Sequence, residues 1–145
     1  MKLSTRIRFG VRIMVQIAVE AKTKPLFARR IAAKQGISEA YVDQILMPLR
    51  AGGLLVSRRG RSGGYLLGRP AEEITVLDIV EVLEGRLSLV ACTEEPSSCE
   101  RADTCVAHIV WARLSTVIRE TLSEITLAEL EEKTLELNQV TDYVI

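Results

Sequence analysis

Residues 27–67 decide the fold, and their sequence is FARRIAAKQGISEAYVDQILMPLRAGGLLVSRRGRSGGYLL. The first part predicts a short, alanine-rich helix over residues 27–35 that ends at Gly36. Ser38 is then expected to cap a second helix from Glu39 to about Ala51, whose apolar residues follow helical spacing. Two helices joined by a glycine-containing turn, the second of them capped by serine, are the layout of a helix-turn-helix.

A basic, glycine-rich hairpin follows these two helices. Residues 54–67 contain two short stretches of strand-forming residues on either side of a turn. Arg58, Arg59 and Arg61 give the turn its charge, and its glycines let the backbone turn tightly and approach a phosphate. A hairpin in this place is typical of a wing. We therefore predict a mainly α fold with a small β-hairpin wing, that is, a winged helix-turn-helix followed by a long dimerisation helix.

The rest of the chain is predicted to be helical around one polar segment, because apolar residues recur at helical spacing on both sides of it. The predicted elements are a helix over residues 4–21, a helix opened by Thr75 and Asp78 that extends to Leu83, a polar loop over 92–104, a long amphipathic helix from about Asp103 to Ser123, and a short helix with a Thr126–Glu129 capping box. No pattern predicts the structure from Lys133 onward.

The charge of the chain is divided between its halves. Residues 1–64 carry 13 Lys and Arg against three acids, a net +10, whereas residues 65–145 carry a net −10. A basic half beside an acidic half predicts a polyanionic partner for the first half only. A solvated charged surface is the alternative. No apolar run is long enough to span a membrane and the N-terminus has no secretory core, so we expect a cytoplasmic protein without a membrane partner.

The predicted partner of the basic half is double-stranded DNA. In a winged helix-turn-helix, the start of the second helix contacts base edges and the wing holds the backbone. Gln44 is suited to adenine and Asp43 or Glu39 to a cytosine amino group, while Tyr41 can equally belong to the core. A winged helix that makes only protein contacts is the alternative. The candidate DNA-contacting residues are Arg8, Arg29, Ser38, Glu39, Ala40, Tyr41, Asp43, Gln44, Arg50, Arg58, Arg59, Arg61, Gly63 and Gly64.

All three cysteines and the only histidine lie within 17 consecutive positions, at Cys92, Cys99, Cys105 and His108. Thiolate and imidazole together select zinc, copper or iron–sulfur centres. The wide spacing favours an iron–sulfur cluster over structural zinc, which usually has paired cysteines. A thiol redox switch is the third interpretation. An enzyme is not expected, because the sole histidine lies among thiols and no nucleophile–base set or phosphate loop is visible.

Short motifs in two parts of the chain, together with the cysteine spacing, carry a family resemblance. The motifs are Ile37-Ser38, Tyr41, Gln44-Ile45, Leu49-Arg50, Gly53-Leu54, Ser57-Arg-Arg-Gly60 and Gly63-Gly-Tyr-Leu-Leu67, followed by Ile74-Thr75, Asp78-Ile79 and Leu83-Glu-Gly85. With them, the chain resembles the Rrf2 family of winged-helix regulators over about residues 1–130. The loop Cys-x6-Cys-x5-Cys-x2-His is similar to that of the IscR-type members.

The resemblance implies a homodimer joined through the long helix, which an apolar stripe over residues 105–123 also favours. It further implies that Cys92, Cys99, Cys105 and His108 bind a 2Fe–2S cluster, and that ligation tunes binding to a pseudo-palindromic operator. We therefore expect a regulator that senses iron–sulfur, redox or nitric oxide status. The expected division is a winged helix-turn-helix DNA-binding domain over 1–85, a cluster-binding loop over 86–104, and a dimerisation helix with the C-terminal segment over 105–145.

Overall fold

The structure is a computed structural model that describes residues 3–60 and 63–142. Its fold is mainly helical with one two-stranded antiparallel sheet, which confirms the predicted fold class. The helices are α1 (Thr5–Glu20), α2 (Ala28–Gln35), α3 (Glu39–Ala51), α4 (Val76–Glu84), the one-turn α5 (Ala91–Glu94), α6 (Val106–Glu124) and α7 (Leu127–Asp142), and the strands are β1 (Leu55–Arg58) and β2 (Gly64–Leu67).

The helix-turn-helix forms as the sequence predicts. The C-cap of α2 is Gly36 at φ 67°, a left-handed conformation that glycine adopts without a steric penalty. Ser38 is the N-cap of α3, and its hydroxyl accepts a hydrogen bond from the backbone N–H of Tyr41 at 3.2 Å. These two local signals fix the angle at which α3 leaves the turn.

The wing is an antiparallel hairpin in which Leu55 pairs with Leu67 and Arg58 with Gly64. Leu26, just before α2, exchanges two backbone hydrogen bonds of 2.9 Å with Tyr65 and so ties the wing to the helix-turn-helix. Gly64 has φ +125°, and a Cβ at this position would lie 2.7 Å from the carbonyl oxygen of Leu26. Only glycine therefore permits this close approach of the two backbones.

The main core lies between α1, α3 and the elements around them. Ile13 and Met14 of α1 and Ile45 and Leu49 of α3 are fully buried. Other fully buried side chains come from α2, β1, α4 and the start of α7, namely Ile31, Leu55, Ile79 and Leu127. The winged helix-turn-helix, α4 and the start of α7 thus close around one apolar core within a single chain.

The last helix returns to this body. Val76 donates its backbone N–H to the carbonyl of Ile125 at 2.9 Å, and Leu127 donates to Ile74 at 2.7 Å. Lys22, just after α1, forms an ion pair with Glu131 of α7. The predicted Thr126–Glu129 capping box is present, but the helix that it opens has 16 residues rather than being short. The helix extends beyond Lys133, where the sequence carries no clear pattern and the side chains described are mostly exposed.

Two further predictions needed correction. The polar segment over 92–104 is not a plain loop, because it contains most of the one-turn α5 and two 3₁₀ turns at Pro96–Ser98 and Ala102–Thr104. The long helix begins at Val106 rather than near Asp103, since the second of these turns precedes it. Among the described residues, no helix has the length and apolar character needed to cross a membrane.

Candidate nucleic-acid interface and metal centre

One face of α3 is free of contacts with the core. Glu39, Ala40, Asp43 and Gln44 are exposed along it, while Val42, Ile45 and Leu46 on the opposite side are buried. Ser38 lies at the start of this face and uses its hydroxyl as the helix cap. The candidate base-contacting side chains therefore share one outward surface, as a recognition helix requires.

Tyr41 lies at the border between this surface and the core. Its ring is half-buried and meets Phe9 of α1 edge to face, with 6.0 Å between the ring centroids. This contact fixes α3 against α1, which is the role that the core interpretation of Tyr41 expects.

Two residues of this surface are absent from the sequence-based set. Arg6 of α1 lines the same shallow depression as Gln44 and Arg50. Met47 lines it too and is 64% exposed, one helical turn beyond Asp43 and Gln44. The helical spacing from Asp43 to Met47 could have identified Met47, whereas only the packing of α1 beside α3 brings Arg6 to this place.

The basic residues of the wing lie on its outer surface. Arg58 and Arg59 are exposed, and Arg61 lies outside the described residues. Gly63 is buried in the turn, and a Cβ there would lie 2.6 Å from the carbonyl oxygen of Arg58. Arg50 at the end of α3 donates a hydrogen bond to the hydroxyl of Ser57 in β1 at 3.2 Å, so the recognition helix and the wing are joined directly.

The remaining candidate cations lie on α1 and α2. Arg8 is exposed on α1, and Arg29 is exposed on α2 with its guanidinium 5.7 Å from the centre of the Phe27 ring. Stacking on an aromatic ring orders the arginine without neutralising it. Arg29 is therefore an exposed cation at the start of α2.

The cysteines lie in the connection between α4 and α6. Cys92 is half-buried in α5, Cys99 is exposed after a 3₁₀ turn, and Cys105 is half-buried immediately before α6. All three are free thiols. Cys92 lies inside α5, and Cys99 and Cys105 each follow a separate 3₁₀ turn, which spreads the three thiols along the segment.

His108 lies in the first turn of α6, and its backbone N–H donates to the carbonyl of Cys105 at 3.1 Å. Within the described part of the chain, its Nδ1 atom is buried and has no hydrogen-bond partner. A buried polar atom without a partner costs about 1–3 kcal/mol. Binding to a metal centre would satisfy this nitrogen.

The donor types therefore fit an iron–sulfur or zinc centre, but the side chains do not lie close enough together to form one. In residues 3–60 and 63–142, no three His, Cys, Asp or Glu side chains are placed to hold a metal ion. Ligation would require the turns between Cys92 and Cys105 to draw together. The four predicted ligands remain a prediction.

The long helix α6 has an apolar face without a partner in the described chain. Val106, Ile109, Val110 and Val117 are between 49% and 77% exposed, and Trp111 is 41% exposed. Ser115 is the only side chain of this 19-residue helix that is buried. An apolar patch of this kind marks a surface that associates with another protein.

Both the sequence and the fold are similar to those of known proteins. Residues 3–133 match the family Rrf2, described as iron-dependent transcriptional regulators. The HTH-type transcriptional regulator IscR of Serratia proteamaculans is 36% identical over 130 residues, which are 90% of this chain and 79% of that protein.

Solved structures of two such regulators superpose on the chain. CymR, the global cysteine regulator of B. subtilis, has a TM-score of 0.75 at 36% identity, over 92% of this chain and 98% of that one. T. potens IscR has a TM-score of 0.76 at 35% identity, over 92% of this chain and 88% of that one.

Proposed function

The chain belongs to the Rrf2 family and is a DNA-binding transcriptional regulator, and we propose that an iron–sulfur centre in its cysteine segment tunes its binding to DNA. This membership confirms the resemblance found in the sequence. The relatives are regulators, which also confirms the expectation that the chain is not an enzyme. The metal centre, the contacting residues and the signal are the parts that we propose.

DNA binding is assigned to α3, the wing and the basic residues beside them. Gln44 and Asp43 project from the exposed face of α3 and would meet base edges in the major groove. Arg58 and Arg59 would hold phosphates, and the bond between Arg50 and Ser57 would keep the wing and α3 in register on the duplex.

The unpartnered face of α6 supports a homodimer. A second copy of the chain is the natural partner because a two-fold axis would bring the same apolar stripe against itself, covering Ile109 and Val110 from both sides. Such a dimer presents two recognition helices related by symmetry, which matches a pseudo-palindromic operator.

The metal centre is assigned to Cys92, Cys99, Cys105 and His108. The single observation that carries the assignment is the partnerless, buried Nδ1 of His108, one helical turn from a free thiol. When bound, a 2Fe–2S cluster would supply a redox-active group whose ligation responds to its surroundings. The chain would supply three thiolates and a neutral imidazole, so its part in sensing is to hold or release the segment between Cys92 and Cys105.

A second candidate is a regulator that uses the same thiols without an iron–sulfur centre, by structural zinc or by thiol oxidation. Two observations favour it. CymR is described as a cysteine regulator, and it is as similar to this chain as IscR is. The exposed Cys99 also makes a thiol available to an oxidant.

Anaerobic purification distinguishes these candidates. We expect a coloured protein whose visible spectrum disappears on oxidation, with about two irons and two sulfides per chain. A colourless protein with one zinc per chain would contradict the iron–sulfur centre. DNA binding that changes only with thiol oxidation would support the switch instead.

A further inference from the structure

The segment between α4 and Cys92 is fastened at two points by side chains of the neighbouring helices. The backbone N–H of Leu87 donates to the carboxylate of Glu81 in α4 at 3.2 Å. The backbone N–H of Leu89 donates to the hydroxyl of Ser115 in α6, also at 3.2 Å. One attachment therefore reaches the winged-helix body and the other reaches the long helix.

Arg119 joins the two attachments. Its guanidinium lies one helical turn beyond Ser115 on α6 and forms an ion pair with Glu81, the carboxylate that also holds Leu87. Ser115 is 7% exposed, so a polar side chain occupies the one buried position of α6. A buried hydroxyl is retained at little cost only where it is hydrogen-bonded.

The bond to Ser115 joins the segment to α6 at a place where packing leaves an open space. A cavity of about 140 Å³ lies between the segment and α6, lined by Ser88, Thr93, Ser115 and Arg119 among others. The side chain of Leu87, in contrast, packs against Ile7 and the α4 residues Val76 and Val80. We therefore expect a movement of the segment to displace α4 through Leu87 and α6 through Leu89.

We propose that Ser115 and Arg119 are positioning residues that transmit the state of the cysteine segment to the DNA-binding body, an inference that rests on the proposed function. Cys92 follows Leu89 by three residues, so drawing it toward a metal centre pulls directly on the bond to Ser115. Loss of this bond would leave the cysteines free to bind metal while separating their segment from α6, and so from the Arg119–Glu81 ion pair by which α6 reaches α4.

The test compares two variants with two matched controls on the same helix. Ser115→Ala and Arg119→Ala remove the attachment. Ser123→Ala removes an exposed serine that bonds only within α6, and Glu124→Ala removes an exposed charged side chain at the end of the helix. The parent protein first selects a DNA duplex from a random pool. The affinity of each protein for this duplex is then measured with the metal centre loaded and after chelation. The ratio of the loaded to the metal-free affinity is compared between the parent, the variants and the controls.

We expect both controls to keep the ratio of the parent and both attachment variants to move it toward one, with unchanged metal content. Hydrogen exchange of residues 86–90 in the metal-free Ser115→Ala protein should be roughly fivefold faster. Ser115→Thr should restore both properties, since it keeps the hydroxyl and its methyl group faces the cavity.

Faster exchange with an unchanged ratio would overturn transmission, and unchanged exchange would overturn the attachment itself. A parent whose loaded and stripped forms bind DNA equally would instead overturn the proposed sensing function, and the exchange measurement separates that failure from a failure of the attachment. If Ser115→Ala does not fold, Arg119→Ala and its conservative partner Arg119→Lys decide the same question.

Discussion

The winged-helix body and the segment from Arg86 to Glu124 contain similar proportions of apolar residues but differ in how far they bury them. In the body, Ile13, Ile45 and Leu49 are completely buried, so one chain suffices to close the core. In α6, Ile109 and Val110 are more than half exposed, and the three thiols between α4 and α6 are free. We infer from this difference that the second region needs partners from outside the single chain, and we propose that these are a second copy of the chain and a metal centre.

The largest expected effect comes from the cysteines. Replacing Cys92, Cys99 or Cys105 singly with serine should abolish the visible spectrum of the anaerobic protein, because an alcohol is a poor ligand for iron. His108→Ala should leave a spectrum that is altered or short-lived. Ser97→Ala, in the same segment, is the control and should leave the spectrum unchanged. Three single serine variants that keep the parental spectrum would rule out the assigned ligands.

A charge on the apolar face of α6 should separate the dimer. Val110→Glu would place a carboxylate in the middle of the proposed interface, whereas Ser123→Glu places one at an exposed polar position of the same helix. Sedimentation should show a monomer for the first and a dimer for the second. Affinity for the selected duplex should fall roughly 100-fold or more with the loss of the second half-site contact. A parent that sediments as a monomer at micromolar concentration would contradict this assignment.

The stability of the winged-helix body should depend on its own core, so a core substitution should lower the free energy of unfolding equally at any protein concentration. Ile45→Ala removes a fully buried side chain of α3 and should lower the free energy of unfolding by about 2–5 kcal/mol. Met47→Ala on the same helix removes an exposed side chain and should change it by less than about 0.5 kcal/mol. Denaturant unfolding at two protein concentrations checks both values. Equal effects of the two variants would mean that α3 is not anchored as described.

The smallest effects separate the two kinds of DNA contact within the body. Arg59→Ala should weaken binding to all duplexes and reduce the slope of log affinity against log salt by about 0.9, which corresponds to one phosphate. Gln44→Ala should instead change base preference, by about 1–3 kcal/mol at one position. Lys133→Ala is the control, because Glu136 already pairs with this ammonium group and raises its pKa. Unchanged DNA binding by both Arg59→Ala and Gln44→Ala would leave the winged helix as a packing scaffold.

The parts of the fold that the sequence predicts correctly are those that depend on local capping residues. Ser38, Gly36 and the Thr75–Asp78 capping box determine helix ends by themselves, and each occurs where the sequence predicts it. The length of α7 was missed because its mostly exposed residues beyond Lys133 follow no apolar pattern, and the start of α6 was misplaced because a 3₁₀ turn precedes Cys105. Arg6 was missed because its place beside Gln44 depends on how two helices pack.

For the candidate metal centre, the identity of the ligands can be predicted from the sequence but their arrangement in space cannot. The identity of its donors can be read from four positions of the sequence, because thiol and imidazole chemistry is a property of the residues. Their spatial arrangement depends on a segment of short turns, whose few buried side chains fix little of its geometry. The sequence therefore predicts which groups would bind, and the folded single chain does not by itself bring them together.

One titration tests most directly that the metal centre of the second region tunes the DNA binding of the first. The protein is purified anaerobically, and its affinity for the selected duplex is measured by fluorescence anisotropy before and after chelation, at one salt concentration. We predict a tenfold or greater difference between the two forms, about 1.4 kcal/mol of coupling. Equal affinities of the two forms, with the centre verified by its spectrum before chelation, would contradict the account.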